Sequence, residues 1–226
     1  MVGPLSRSSV ADLIVAELRD AILSGRYAPG ERLPTQRKLA AELSVNISSI
    51  REALSRLEQL RLVEVRHGDA TRVLDWRASG GLEALALLGS LELDVIAPLF
   101  EARRLLLVEA ARLAASRRSP EQADQLHELA SGVLAADDDE AALLLDWTFM
   151  TTIIEAADNL VFRLIMNSVR ELYLPNAGAF RGVVTGWRTL APLYAAIAQA
   201  IDAGDADLAA AKMHSLAAIQ EQQMTA

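Results

Sequence analysis

The sequence contains no cysteine. Disulfides and thiolate metal sites are therefore excluded, and the absence fits a reducing compartment. Histidine occurs three times, at His67, His127 and His214, which leaves little from which to build an imidazole metal site. Aromatic residues make up 4 % of the chain, whereas Ala and Leu abound, and both are strong helix formers. No uncharged apolar run approaches the length of a membrane span. The N-terminus, MVGPLSRSSVADLI, lacks the apolar core of a signal sequence. A soluble cytoplasmic protein without a membrane partner is the expectation. Catalytic signatures are missing as well: there is no Gly-x-Ser-x-Gly, no phosphate loop and no metal triad, so the chain does not read as an enzyme.

What is present begins with size. A chain of 226 residues, 52 % of them hydrophobic, can form one large domain or two small ones around a real core. The net charge of −8 argues against a nucleic-acid partner until its distribution is considered. Residues 1–77 hold 12 Lys and Arg against 10 Asp and Glu, a balance of +2, and the remainder holds 10 against 20, a balance of −10. Such asymmetry points to two domains with different partners.

Along the chain, Ser9 is a candidate cap for a helix to Leu23, with Ile14, Leu18, Ala21 and Ile22 as its apolar face. Gly25 stops it. YAPGERLP predicts a turn-rich loop. Thr35 starts a short helix to Leu43, and Val45–Asn46 opens another that ends near Leu60. LVEVR (62–66) and TRVLD (71–75), joined by His67-Gly68-Asp69-Ala70, read as a β-hairpin. WRASGG (76–81) reads as a linker, which gives domains of residues 1–76 and 77–226. Beyond it the pattern is helical, near 82–90, 93–116, 120–135, 140–156, 159–174, 188–203 and 205–223, with a loop near Pro175–Gly186. The predicted fold class is mainly α: a three-helix unit with a β-hairpin, then an antiparallel bundle of six or seven helices.

Helix, tight turn, helix and hairpin is a winged helix-turn-helix order, whose second helix enters the major groove by its N-terminal end. VNISSIREAL (45–54) suits that task. Ile50, Ala53, Leu54 and Leu57 share one side at 100° per residue; Ser48, Glu52 and Ser55 fall opposite, with Arg51 near their edge. Unpaired N–H groups in the first turn suit a phosphate, and Arg51 can grip a guanine edge or a phosphate. Taken alone, these residues allow a second reading, in which Asn46 and Ser48 cap a core helix and Arg51 is solvated. The wider context resolves it. GRYAPGERLPTQRKLAAEL, VNISSIREALSRLEQLRLVEV and RHGDATRV, in that order, resemble the DNA-binding domain of the GntR family of bacterial transcription regulators over residues 10–75. The His-Gly-x-x-Thr wing resembles the FadR branch.

The resemblance implies DNA contacts by Arg37, by Asn46, Ser48, Ser49 and Arg51 on the reading helix, and by His67, Gly68 and Thr71 at the wing tip. Two residues depart from the family pattern. Ile47 stands where an arginine is common; it cannot bond a guanine edge but can pack on a thymine methyl. Asp69 puts a carboxylate at the wing tip, which weakens binding near phosphates. Two half-sites call for a two-fold homodimer on a pseudo-palindromic operator.

EARRLLLVEAARLAA (101–115), DWTFMTTIIEAADN (146–159) and AIAQAIDAGDADLAAAKM (196–213) resemble the FCD effector domain. Many of its members bind a metal through Asp and three His. Here the Asp is Asp146, but Met150, Tyr194 and Leu216 stand near the His positions, and His214 is two residues out of register; no Zn or Ni site is expected. The metal-free fatty-acid branch binds long-chain acyl-CoA, and Arg103, Tyr173, Phe180 and Tyr194 resemble its ligand residues. Asp146 and Met150 complete the candidate ligand set. Leu106, Phe149, Met150, Ile153 and Ile154 suit an acyl chain, but Leu, Ile and Met at helical spacing are more often core, and Arg103 also suits an interface ion pair. The function implied is acyl-CoA-released regulation of fatty-acid metabolism. A regulator responding to a small organic acid, and a helical protein-binding adaptor without effector, stand as alternatives.

Overall fold

The computed structural model describes residues 9–65, 70–81 and 95–225. The expected helix at 82–90 and the wing-tip residues His67, Gly68 and Asp69 lie outside them. The chain divides into two compact units, Met1–Glu92 and Leu93–Ala226.

In the first unit, α1 (Val10–Leu23) opens on a capping box: the Ser9 hydroxyl accepts from the Asp12 N–H, and the Asp12 carboxylate accepts from the Ser9 N–H. Its apolar face is buried as the spacing predicts. Gly25 leaves the helix at φ +80°, a conformation glycine takes without a Cβ penalty. Thr35 caps α2 (Gln36–Glu42), and Asn46 caps α3 (Ile47–Gln59). The turn between them places Ser44 at φ +53°. α3 buries Ile50, Ala53, Leu54 and Leu57, packing on α1 and α2.

β1 (Val63–Glu64) and β2 (Arg72–Val73) pair antiparallel, Val63 opposite Val73. The segment expected as a loop also joins this sheet. Gly30 N–H donates to Val73 O at 2.8 Å, Val73 N–H to Glu31 O at 2.9 Å, and Leu33 N–H to Thr71 O at 2.9 Å. Buried Leu33 makes the approach favourable by removing apolar surface from water. The expected linker is partly structured: Trp76–Ser79 form a short helix, α4, capped by the Asp75 carboxylate. The expected domain boundary at Trp76 thus falls at a helix start.

The second unit contains, among the described residues, α5 (Ile96–Arg117), α6 (Pro120–Ala135), α7 (Asp139–Ala156), α8 (Leu160–Tyr173), a 3₁₀ segment (Leu174–Val184), α9 (Trp187–Ala203) and α10 (Ala206–Thr225). The segment expected as a loop is therefore 3₁₀. Three of the starts have a local cause: Ser119 and Gln122 form a capping box with Pro120 at the first position of α6, Asp138 caps α7, and Asn159 caps α8. α5 lies along α10. Ala110, Ala111, Ala114 and Ala115 of α5 are fully buried, and such small side chains let helix axes approach closely. One core joins α5, α6, α7, α9 and α10.

Candidate functional site

The polar end of α3 is built as a presented surface. Ser48, Arg51 and Ile47 are exposed and Ser49 is half-buried. The Asn46 side-chain oxygen accepts from the Ser49 N–H at 2.8 Å, so its cap role is realised on a residue that is itself exposed. The Arg51 Nε donates to Gln36 Oε1 at 3.1 Å. That bond spans from α3 to α2 and fixes the direction of the guanidinium while leaving its terminal N–H₂ groups available. Gln36 was not singled out by the sequence reading; its place at the first position of a helix gave no signal of a partner fifteen residues on. Arg37, next to it, is exposed. Thr71 corrects an expectation. It is 8 % exposed, and its carbonyl fastens the hairpin to Leu33, so it serves the base of the wing and not an open tip.

The second unit holds a buried polar cluster. Asp146 on α7 is 1 % exposed. Its Oδ1 accepts from the Tyr194 hydroxyl at 2.6 Å and from Gln220 Nε2 at 2.8 Å, and its Oδ2 faces Arg103 at 3.4 Å. Arg103 also donates to Gln220 Oε1 at 2.8 Å. Residues of α5, α7, α9 and α10 are thus tied at one point. Burial, foremost, and the Asp146 charge push the Tyr194 phenol well above its ordinary value, so it stays a neutral donor. Gln220 was missed in the sequence, although a glutamine one turn beyond Leu216 on an otherwise apolar face was a readable sign.

These residues do not fit a metal. Met150, Tyr194 and Leu216 are buried where a family metal would need imidazoles, His214 is exposed, and among the described residues no group of three metal-ligating side chains forms. Asp146 is satisfied instead by a phenol, an amide and a guanidinium.

Beside the cluster runs an aromatic stack. Tyr173 lies on Phe180 and on Trp147, each at 4.7 Å between centroids. Phe180 continues to Phe100 at 6.3 Å, and Arg103 sits over Phe100 at 5.5 Å. The structure therefore brings Arg103, Asp146, Tyr194, Tyr173 and Phe180 into one region. Of the two readings of Met150, Phe149, Ile153 and Ile154, acyl lining or helix core, the structure has the core: each is at most 1 % exposed and packed in the central cluster, so Met150 leaves the candidate ligand set. Between α7 and the 3₁₀ segment lies a half-open hollow of about 220 Å³, bounded by Leu143, Leu144, Trp147, Tyr173 and Leu174, with Glu140 at its edge.

Comparison with known proteins agrees with both halves. Residues 11–73 match the bacterial regulatory proteins of the gntR family, and residues 98–218 match the FCD domain. The HTH-type transcriptional regulator Mce2R of Mycobacterium tuberculosis is 35 % identical over 211 residues, 89 % of this chain and 86 % of that protein. The fatty acid metabolism regulator protein of Yersinia pestis is 29 % identical over 157 residues, 68 % of this chain and 65 % of that protein. A solved structure described as Lar, which controls the expression of the Listeria monocytogenes agr system, aligns over 98 % of this chain and 99 % of that one. Its TM-score is 0.61 at 16 % identity, a likeness of fold alone. The presented reading helix and the helical effector bundle coincide with the two matched regions, in the same order. The chain belongs to the gntR family of bacterial transcription regulators, carries an FCD domain, and is a regulator and not an enzyme.

Proposed function

We propose that this regulator binds a pseudo-palindromic operator as a homodimer and that an acyl-CoA effector of fatty-acid metabolism lowers its affinity for DNA. Arg51, exposed at the N-terminal end of α3 and aimed by Gln36, carries the DNA half of the reading. The effector half is supported by the replacement of a metal set by Arg103, Asp146, Tyr194 and Gln220 beside an aromatic stack, and by likeness to a fatty acid metabolism regulator. A second reading, a small organic acid on Arg103, is favoured by the Arg103 side chain being 16 % exposed while it belongs to the cluster.

Ligand in the helical unit shifts the equilibrium between two arrangements of the winged units, so that half-site spacing no longer matches; this requires different affinity of the ligand for the two states. The test is a gel shift on DNA from the protein's own promoter region at two salt concentrations, with and without acyl-CoA. Binding that weakens steeply with salt and is relieved by acyl-CoA is the expected result. Binding that is absent or indifferent to salt overturns the regulatory mechanism; release by an organic acid alone selects the second reading.

A further inference from the structure

The apolar stripe of α3 runs past the edge of its core. Ile50, Ala53, Leu54 and Leu57 are at most 2 % exposed. Ile47, seven residues before Leu54 and so on nearly the same side of the helix, is 37 % exposed. It is the first residue of α3. Polar groups surround it in the chain: Asn46 and Ser48 are exposed, Ser49 is half-buried, and Arg51 follows one turn on, about 40° around the axis. Among the described residues, Val10, Leu13 and Leu43 are the other exposed large apolar side chains of the first unit, and none of them is on α3. Ile47 is thus the large apolar side chain that α3 offers at its presented end.

An isoleucine side chain has no hydrogen-bond donor or acceptor, so it cannot sort base edges by their polar pattern. In the major groove the apolar group it can meet is the C5 methyl of thymine. Cytosine and uracil carry hydrogen there. A 5-methylcytosine carries the same methyl at the same ring position. The group beside that methyl is an amino group in place of a carbonyl, a difference that Ile47 cannot sense. Four residues of helix rise about 6 Å and base pairs follow roughly every 3.4 Å, so Ile47 and Arg51 meet bases within about two pairs of each other. We propose that Ile47 reads the C5 methyl of a pyrimidine near the contact made by Arg51, so that thymine and 5-methylcytosine are accepted alike and cytosine and uracil are disfavoured. This rests on the DNA-reading role of α3 given above and names the base chemistry that it selects. A cytosine at that position becomes a better site once it is methylated at C5, so DNA methylation tunes the affinity of this regulator.

The preferred site is first selected from a random duplex library with the full chain. Each thymine in it is then replaced in turn by deoxyuridine, which removes the methyl and nothing else, and affinity is measured by fluorescence anisotropy. One replacement should weaken binding about three- to fivefold, the worth of one buried methyl. In Ile47→Ala the same replacement should cost nothing, because the methyl has lost its partner; the coupling between the two deletions is the measure of the contact. Alanine is a strong helix former and the side chain removed is exposed, so the melting temperature of Ile47→Ala should equal that of the parent. At the same position, a 5-methylcytosine–guanine pair should bind about three- to fivefold better than cytosine–guanine in the parent and equally in Ile47→Ala. Selection with Ile47→Arg should replace the pyrimidine by guanine, the base that an arginine holds bidentately. A selected site whose thymines all tolerate uracil, an equal penalty in Ile47→Ala, or no gain from 5-methylcytosine overturns the inference and leaves the regulator reading standing. A library from which no site is enriched overturns both.

Discussion

Asp146 accepts three donors from three other helices while almost fully buried. A buried charge is tolerable only when paired and hydrogen-bonded. Asp146→Asn removes the counter-charge of Arg103, and a loss of about 2–4 kcal/mol in urea unfolding is expected, reduced from the fully buried case because Arg103 is partly exposed. The pair Asp146→Leu with Arg103→Met should recover part of that loss, since an apolar pair needs no desolvated charge.

The two buried tyrosines predict an alkaline limit. Burial raises both phenols above the ordinary value of 10.0. The unfolded chain gives up these protons above about pH 10, whereas the folded protein keeps them. Their contribution is complete below pH 10 and falls as pH rises beyond it, by up to about 1.4 kcal/mol per pH unit for each group. Urea midpoints at pH 9 and pH 10.5 measure the fall; Tyr173→Phe should flatten its share. An unchanged midpoint in the parent protein would contradict the burial of these phenols.

At the scale of elements, α3 serves two masters along one 3.6-residue period. Its apolar face was legible from spacing alone, because burying Ile50, Ala53, Leu54 and Leu57 is a property of their positions on one helix. The aiming of Arg51 by Gln36 was not, since that bond joins separate helices. Arg51→Ala should weaken operator binding about 5- to 150-fold, the worth of a bidentate contact. Gln36→Ala should weaken it less, by freeing a guanidinium that must then be re-ordered on binding; fluorescence anisotropy with labelled operator measures both. The turn before α3 offers a stability test. Ser44 occupies left-handed backbone at φ +53°, where a Cβ is unfavourable. Ser44→Gly should raise stability, or at least leave it unchanged, by a gain of up to about 1 kcal/mol. A loss on thermal unfolding would show that the hydroxyl matters more than the backbone.

For the whole molecule, the two units have separate cores. Ile14, Leu18, Ile50, Leu54 and Leu57 are buried in the first, and the large cluster that runs from Leu107 to Leu216 belongs wholly to the second. Differential scanning calorimetry should therefore show two transitions, or a calorimetric enthalpy exceeding the van't Hoff value. A single two-state transition would mean strong coupling between the units.

The sequence alone determined the order of the long described helices and the hairpin, the caps of α1, α2 and α3, the apolar face of α3 and the family resemblance. Each depends on neighbours along the chain: a cap reaches three residues, and a helix face repeats every three or four. It also placed the residues that would spoil a metal site. Only the tertiary structure decided what Asp146 holds instead, because Arg103, Tyr194 and Gln220 come from three other helices, as far as 74 residues away. It also decided that Thr71 is a fastening and not a tip, that Met150 is core, and that Tyr173 carries a buried hydroxyl with no hydrogen-bond partner among the described residues, beside an open hollow. Pairing and packing between distant segments depend on how helices come together, and no periodicity in the chain encodes a single such contact.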